Sequence, residues 1–136
     1  MTATALPALA DESFVSLTTF RASGEPVATP VWIAPDAMGN GDLLVLTPSA
    51  TGKVRRIRAD ARVELRPCDR RGRVAEGAPT ASATAEILAG QAEVDAVRDV
   101  MRRKYGAEYR IFMLVEALVR RTRHVERVAL RLHPAS

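Results

Sequence analysis

The sequence predicts a mainly β fold, an antiparallel barrel with a few helices packed outside it. Three observations lead there. Short segments of alternating, β-branched character recur along the chain. Glycine-rich and polar turns separate most of them. Helical periodicity is confined to one short basic segment and to the C-terminal third. Hairpin-linked strands of this kind favour an antiparallel barrel over a parallel α/β sheet.

The elements follow in order. Residues 1–12 form a leading segment with one helical turn expected around Leu6 and Leu9. Phe14 to Phe20 alternates and is rich in Val, Thr and Phe, so it reads as the first strand. Ser23-Gly24 turns the chain. Val27 to Ile33 is the second strand. Val27, Thr29, Val31 and Ile33 share one face, and Ala28, Pro30 and Trp32 the other. Met38 to Asp42 is a strong turn signal, and Leu43 to Thr47 is the third strand, expected to form a hairpin with the second. A short helix is predicted from about Thr51 to Ala59. Arg62 to Cys68 returns to alternation, with Val63 and Leu65 inward. Asp69 to Gly72 is a turn, and Thr80 to Leu88 another strand. Glu93 to Lys104 is helical, with a stripe of Val94, Val97, Val100 and Met101. Glu108 to Arg121 repeats that pattern, and Arg123 to Leu132 closes the chain as a strand.

The 136 residues fit one domain, 1–136, and 47% hydrophobic content supports a sizeable core. No stretch approaches the roughly 20 apolar residues of a membrane span. Met1 to Asp11 lacks the basic and apolar regions of a signal peptide. Cys68 is the only cysteine, which excludes an internal disulfide and makes the cytoplasm the default location. Cys68, His124 and His133 have no metal-ligand spacing.

The formal charge is +4, which favours an anionic partner. Aromatic residues make up only 4% of the chain, too few for the basic–aromatic interleaving of many nucleic-acid binders. A small anionic molecule is the better expectation. Its site is best sought at Thr47-Pro-Ser-Ala-Thr-Gly-Lys53-Val-Arg55-Arg56. There a strand gives way to a helix start, whose unpaired N–H groups and basic side chains suit a phosphate. Of the 20 basic residues only Lys53 and Lys104 are lysine, so the arginine bias of the chain does not account for Lys53. Arg56, three residues on, shares a helix face with Lys53, whereas Arg55 and Arg58 point elsewhere.

Thr29-Pro-Val-Trp32, then Ser49 to Arg56, then Pro67-Cys68-Asp69 with Arg71-Gly72 stand in one order that resembles the split β-barrel, flavin-binding superfamily of the pyridoxamine 5'-phosphate oxidases. Within it the chain is most similar to the small actinobacterial branch that uses the deazaflavin coenzyme F420, the B-type flavin/deazaflavin oxidoreductases. The likeness runs from about Phe14 to Leu132. It implies an F420-dependent oxidoreductase passing hydride to an enone, quinone or tetrapyrrole, with FMN as the alternative cofactor. A binding protein without turnover is the other alternative. It also implies a homodimer acting on a small-molecule substrate, without nucleic acid.

The resemblance carries cofactor roles onto Thr29, Pro30, Val31 and Trp32 beside the ring, and onto Thr47, Ser49, Gly52, Lys53 and Arg56 around the phosphate. Pro67 and Cys68 would lie near the ring, and Arg70 and Arg71 are candidates to meet a polyglutamate tail. Pro30 lacks the N–H that a central ladder needs, so its strand is expected at an edge. Trp32 serves equally as pocket wall or as packing, and Cys68 as contact or as small apolar filler. F420 carries a phosphodiester, a carboxylate and several glutamates, whereas FMN carries one phosphate. The abundant cations favour the former. No side chain is identified as a catalytic acid or base.

Overall fold

Alternating, β-branched segments pair through the turns that separate them. In the computed structural model, which describes residues 3–36, 40–107, 111 and 126–135, Phe14–Phe20 (β1) folds back on Pro26–Trp32 (β2). Gly24, at φ +89°, makes the turn, in a region that side-chain-bearing residues rarely enter. Ala34–Pro35 (β3), Leu43–Pro48 (β4), Arg62–Pro67 (β5), Ala81–Leu88 (β6) and Arg127–Pro134 (β7) complete the sheet. Its order is β2-β1-β5-β6-β7-β4-β3, and every pairing is antiparallel.

The two ends of this order, β2 and β3, are separated in the chain by Ile33 alone. The sheet therefore curls until its edges meet. Among the described residues no ladder joins β2 to β4, so a seam remains there and the barrel is split. Pro30 sits on that edge strand, as its missing N–H requires.

The hairpin expected between the second and third strands is almost absent. β4 instead pairs with β7 over six residues and meets only Ala34 and Pro35 on the other side. The cause is a corner at Ile33. Lys104 donates to the Ile33 carbonyl at 2.8 Å, and the Tyr105 hydroxyl also donates to it. Pro35 then offers no N–H to prolong the ladder.

Inward side chains alternate strictly. Val15, Leu17, Val31, Val45, Val63, Leu65, Leu130 and Leu132 fill the barrel. The upper end, where Phe14 faces Trp32, is plugged by Leu6 and Leu9 from a 3-10 turn, Leu6–Leu9. The lower end, where Phe20 faces Pro26, is closed by Gly52–Ala59 (α1), which buries Val54 and Ile57. Gln91–Tyr105 (α2) runs outside, laying Val97 and Met101 on Ala34, Leu44, Leu88 and Ala129. Burying each such side chain contributes about 1.5–3 kcal/mol. Of the helix expected at 108–121 only Ile111 is described, and residues 37–39 of the predicted turn and His124 lie outside the described residues.

Candidate cofactor-binding site

At the lower end, Thr51 opens α1. Its hydroxyl donates to the Pro48 carbonyl at 3.1 Å, and the Ser49 N–H donates to Glu126 O at 2.9 Å, fixing the turn that precedes the helix. Lys53 and Arg56 then lie one turn apart, and each cation meets a hydroxyl on a different strand. Lys53 Nζ donates to Thr47 Oγ1 at 3.0 Å on β4, and Arg56 Nε donates to Thr19 Oγ1 at 2.6 Å on β1. Both threonines are buried, Thr47 at 2% exposure and Thr19 at 0%. Burial, and then the neighbouring Arg56 charge, hold the Lys53 ammonium below its usual pKa. Arg56 is lowered by burial, then by Arg21 and by Arg55. This concentration of positive charge favours an anion.

A cleft of about 320 Å³ opens on the Gly52–Arg55–Arg56–Ala59 stripe of α1, with Phe20, Arg21 and Ala22 as its other wall. Gly52 has a local reason to be glycine here. A Cβ on it would stand 2.6 Å from Arg56 Nη1, where the guanidinium crosses the helix start. Lys53 does not line this cleft. Arg55, expected to point elsewhere, does.

The upper end gathers the other candidates. Pro67, Cys68, Asp69, Arg73, Val74 and Ala75 line a second cleft of about 400 Å³. Asp69 Oδ1 accepts the Arg71 and Arg73 N–H groups, each at 2.9 Å. The Arg73 N–H is the main reason its carboxyl lies below the usual range. Burial, then Asp69 and Glu12, push the Cys68 thiol up. The turn folds against the edge strand. Gly72, at φ +84°, comes so close to Pro30 that a Cβ there would lie 3.4 Å from the proline ring.

Trp32 is half-buried between Phe14 and Tyr105, with ring centroids 5.0 and 4.5 Å away. It joins the packing beneath α2. Val31 points into the barrel at 7% exposure. The Thr29 hydroxyl is buried without a hydrogen-bond partner among the described residues. A buried orphan of this kind is costly and suits a ligand contact.

The strands thus divide the sequence candidates into two groups. Thr29 to Trp32, Pro67 and Cys68 lie toward the upper end. Thr47, Ser49, Gly52, Lys53 and Arg56 lie at the lower. Along β1 the candidates run from Phe14, opposite Trp32, to Thr19, which holds Arg56, about 17 Å at strand rise, with Thr29 between them opposite Leu17. Arg70 and Arg71 belong to the upper turn, far from α1. Sequence reasoning missed Thr19, Arg21 and Lys104. Nothing local marks Thr19 or Arg21, because their meeting with α1 is made by the barrel. Lys104 carried one signal, being the other lysine of an arginine-rich chain.

The sequence profile of the family described as pyridoxamine 5'-phosphate oxidase matches residues 1–136. No curated protein matches the sequence. Among solved structures, Atu2129 of Agrobacterium tumefaciens, of unknown function, aligns with TM-score 0.65 at 18% identity, over 96% of this chain and 54% of that one. HutZ, a heme storage protein of Vibrio cholerae, aligns with TM-score 0.64 at 16% identity, over 96% and 86%. An F420 reductase aligns with TM-score 0.57 at 17% identity, over 95% and 92%. The chain therefore spans about half the length of Atu2129 and most of the other two. At these identities the likeness shows the split-barrel fold.

Proposed function

The chain belongs to the pyridoxamine 5'-phosphate oxidase family, and from that premise we propose that it is an F420-dependent oxidoreductase. One observation carries this reading. Lys53 and Arg56 stand one turn apart on α1 and reach buried threonines of β4 and β1, which places two cations at the end of the barrel that α1 closes.

The residues fit such a group. Lys53 and Arg56 would hold the phosphodiester, each keeping N–H donors beyond the one given to a threonine. Gly52 leaves the space in which the Arg56 guanidinium turns. Thr47 and Ser49 would border the phosphate. The orphaned Thr29 hydroxyl would find a partner, with Pro30, Val31, Trp32, Pro67 and Cys68 near the ring. When bound, the coenzyme supplies hydride chemistry toward an electron-poor acceptor such as an enone, quinone or tetrapyrrole. The chain binds, orients and excludes water. Trp32, fixed by Phe14 and Tyr105, gives a stiff wall. Cys68, with its pKa raised, stays a neutral thiol there.

The more anionic F420 is favoured over FMN by the lower cleft, whose lining holds Arg21, Arg55 and Arg56 and no described acid. The protein would act as a homodimer on a small molecule.

The test uses purified protein titrated with F420 and with FMN, followed by reduced F420 with a panel of enones and quinones. Binding of F420, and loss of reduced-coenzyme absorbance with at least one acceptor, is the expected result. Tighter FMN binding transfers the reading to that cofactor. Binding without turnover of any acceptor reduces the protein to a carrier.

A further inference from the structure

The lower cleft has a property that the phosphate corner does not need. Arg56 stands between two sets of partners. On one side are Lys53 and the Thr19 hydroxyl. On the other are Arg55, Arg21 and the Phe20 ring. The stripe Gly52, Arg55, Arg56 and Ala59 repeats at i, i+3, i+4 and i+7, so these residues share a face of α1, and the cleft on it is not lined by Lys53. Arg21 and Arg55 are both close enough to Arg56 to press on its charge. Arg21 has an acidic neighbour in Glu25. It stands 3.8 Å from Arg21 Nε, is 68% exposed, and is absent from the cleft lining. Such a pair, solvated and four residues apart, leaves the arginine available.

We propose that Arg21 and Arg55, with Arg56 shared with the phosphate corner, form a second anion position beside Lys53 and Thr47 that takes a further phosphate or carboxylate group of the ligand. The protein thereby selects multiply charged ligands over those with one phosphate. The cleft volume, about 320 Å³, admits an oxyanion with a short stem against Phe20 and Ala22. Arginine forks on two walls suit oxygen pairs, and phosphate and carboxylate share that chemistry. The identity of the natural ligand rests on the F420 reading. The anion position does not.

The experiment is calorimetric titration of the whole chain with orthophosphate, tripolyphosphate, F420 and FMN. It is repeated on Arg21→Gln/Arg55→Gln and on Lys53→Met, with melting curves to confirm folding. Tripolyphosphate should bind the native protein about tenfold more tightly than orthophosphate, and the double variant should erase that preference. The same variant should weaken F420 about tenfold while moving FMN by less than about twofold. If the double variant keeps the tripolyphosphate preference, or weakens FMN as much as F420, the second anion position is wrong. If Lys53→Met leaves F420 binding unchanged, the coenzyme reading fails. The tripolyphosphate comparison still decides the arginine site.

Discussion

Arg56 Nε donates to the Thr19 hydroxyl at 2.6 Å, across 37 residues of chain, and Thr19 Oγ1 in turn faces the Val27 carbonyl at 3.5 Å. Lys53 makes the matching contact to Thr47 at 3.0 Å. Thr19 is on β1 and Thr47 on β4, so two cations of one helical turn stitch the two sides of the seam together. The groups best placed to hold an anion also close the barrel.

Thr19→Val separates those roles. It removes an acceptor from a charged donor and should cost about 1–2 kcal/mol. Arg56 also loses its tether, so ligand affinity should fall further than the stability loss requires. Urea unfolding and coenzyme titration of the same variant check this. Unchanged affinity would mean that the tether does not orient Arg56.

Lys53 sets a pH dependence. Its folded pKa is lowered, by burial first and by Arg56 second. The fold therefore disfavours the ammonium. That cost is present at neutral pH and disappears as the pH rises past the unfolded lysine value of about 10.4. A bound anion relieves it. Anion affinity should fall as the pH rises through the lowered Lys53 pKa, earlier than for an ordinary lysine. Lys53→Arg should abolish that fall, because arginine stays charged. Titrations from neutral pH to about pH 10 decide it.

Gly52→Ala tests the cradle. The added Cβ meets Arg56 Nη1 at 2.6 Å, the far end of a flexible side chain. The guanidinium can swing aside, so stability should change by less than about 1 kcal/mol. Ligand binding should weaken severalfold, because the displaced group is the one that grips the anion. A variant that binds as tightly as the native chain removes Gly52 from the site.

The strands were legible because period-2 burial follows directly from residue type. Val15 and Leu17, or Val63 and Leu65, show it even in isolation. The basic helix start was legible for a similar reason, since Lys53 and Arg56 are neighbours by helical spacing alone. The corner at Ile33 was hidden, because the groups that make it, Lys104 and Tyr105, lie 71 and 72 residues away. The expected hairpin between the second and third strands failed on that point. Arg55 is exposed, as the helix wheel implies, but its place on the cleft was hidden, because a wheel cannot see the β1–β2 turn that brings Arg21 opposite it.

Cys68 should be slow toward thiol reagents at neutral pH although it is only half-buried. Burial, and then the Asp69 and Glu12 charges, raise its pKa and suppress the reactive thiolate. Asp69→Asn removes one of those charges and should speed alkylation. Rates of iodoacetamide labelling against pH report the shift directly. Labelling as fast as a free thiol would contradict it.

Lys104 offers the sharpest test of the fold. Its ammonium donates to three carbonyls, Ala10 at 2.8 Å, Glu12 at 2.6 Å and Ile33 at 2.8 Å. It therefore ties the end of α2 to the leading segment and to the corner between β2 and β3. Burial lowers its pKa despite the opposing pull of Asp11 and Glu12, so the site values the geometry of the ammonium over the ease of charging it. Lys104→Met should cost about 2–3 kcal/mol through the carbonyls left without donors. For a chain of this size that is a fall in Tm of roughly 10 °C. Lys104→Arg should not rescue it, because a planar fork cannot point three donors at three carbonyls as a compact ammonium does. The sole tryptophan, Trp32, sits one residue before the corner, so its fluorescence should shift toward the solvent-exposed value in both variants. An arginine variant that melts with the native chain and keeps its emission would show that charge alone, and not its shape, holds the corner.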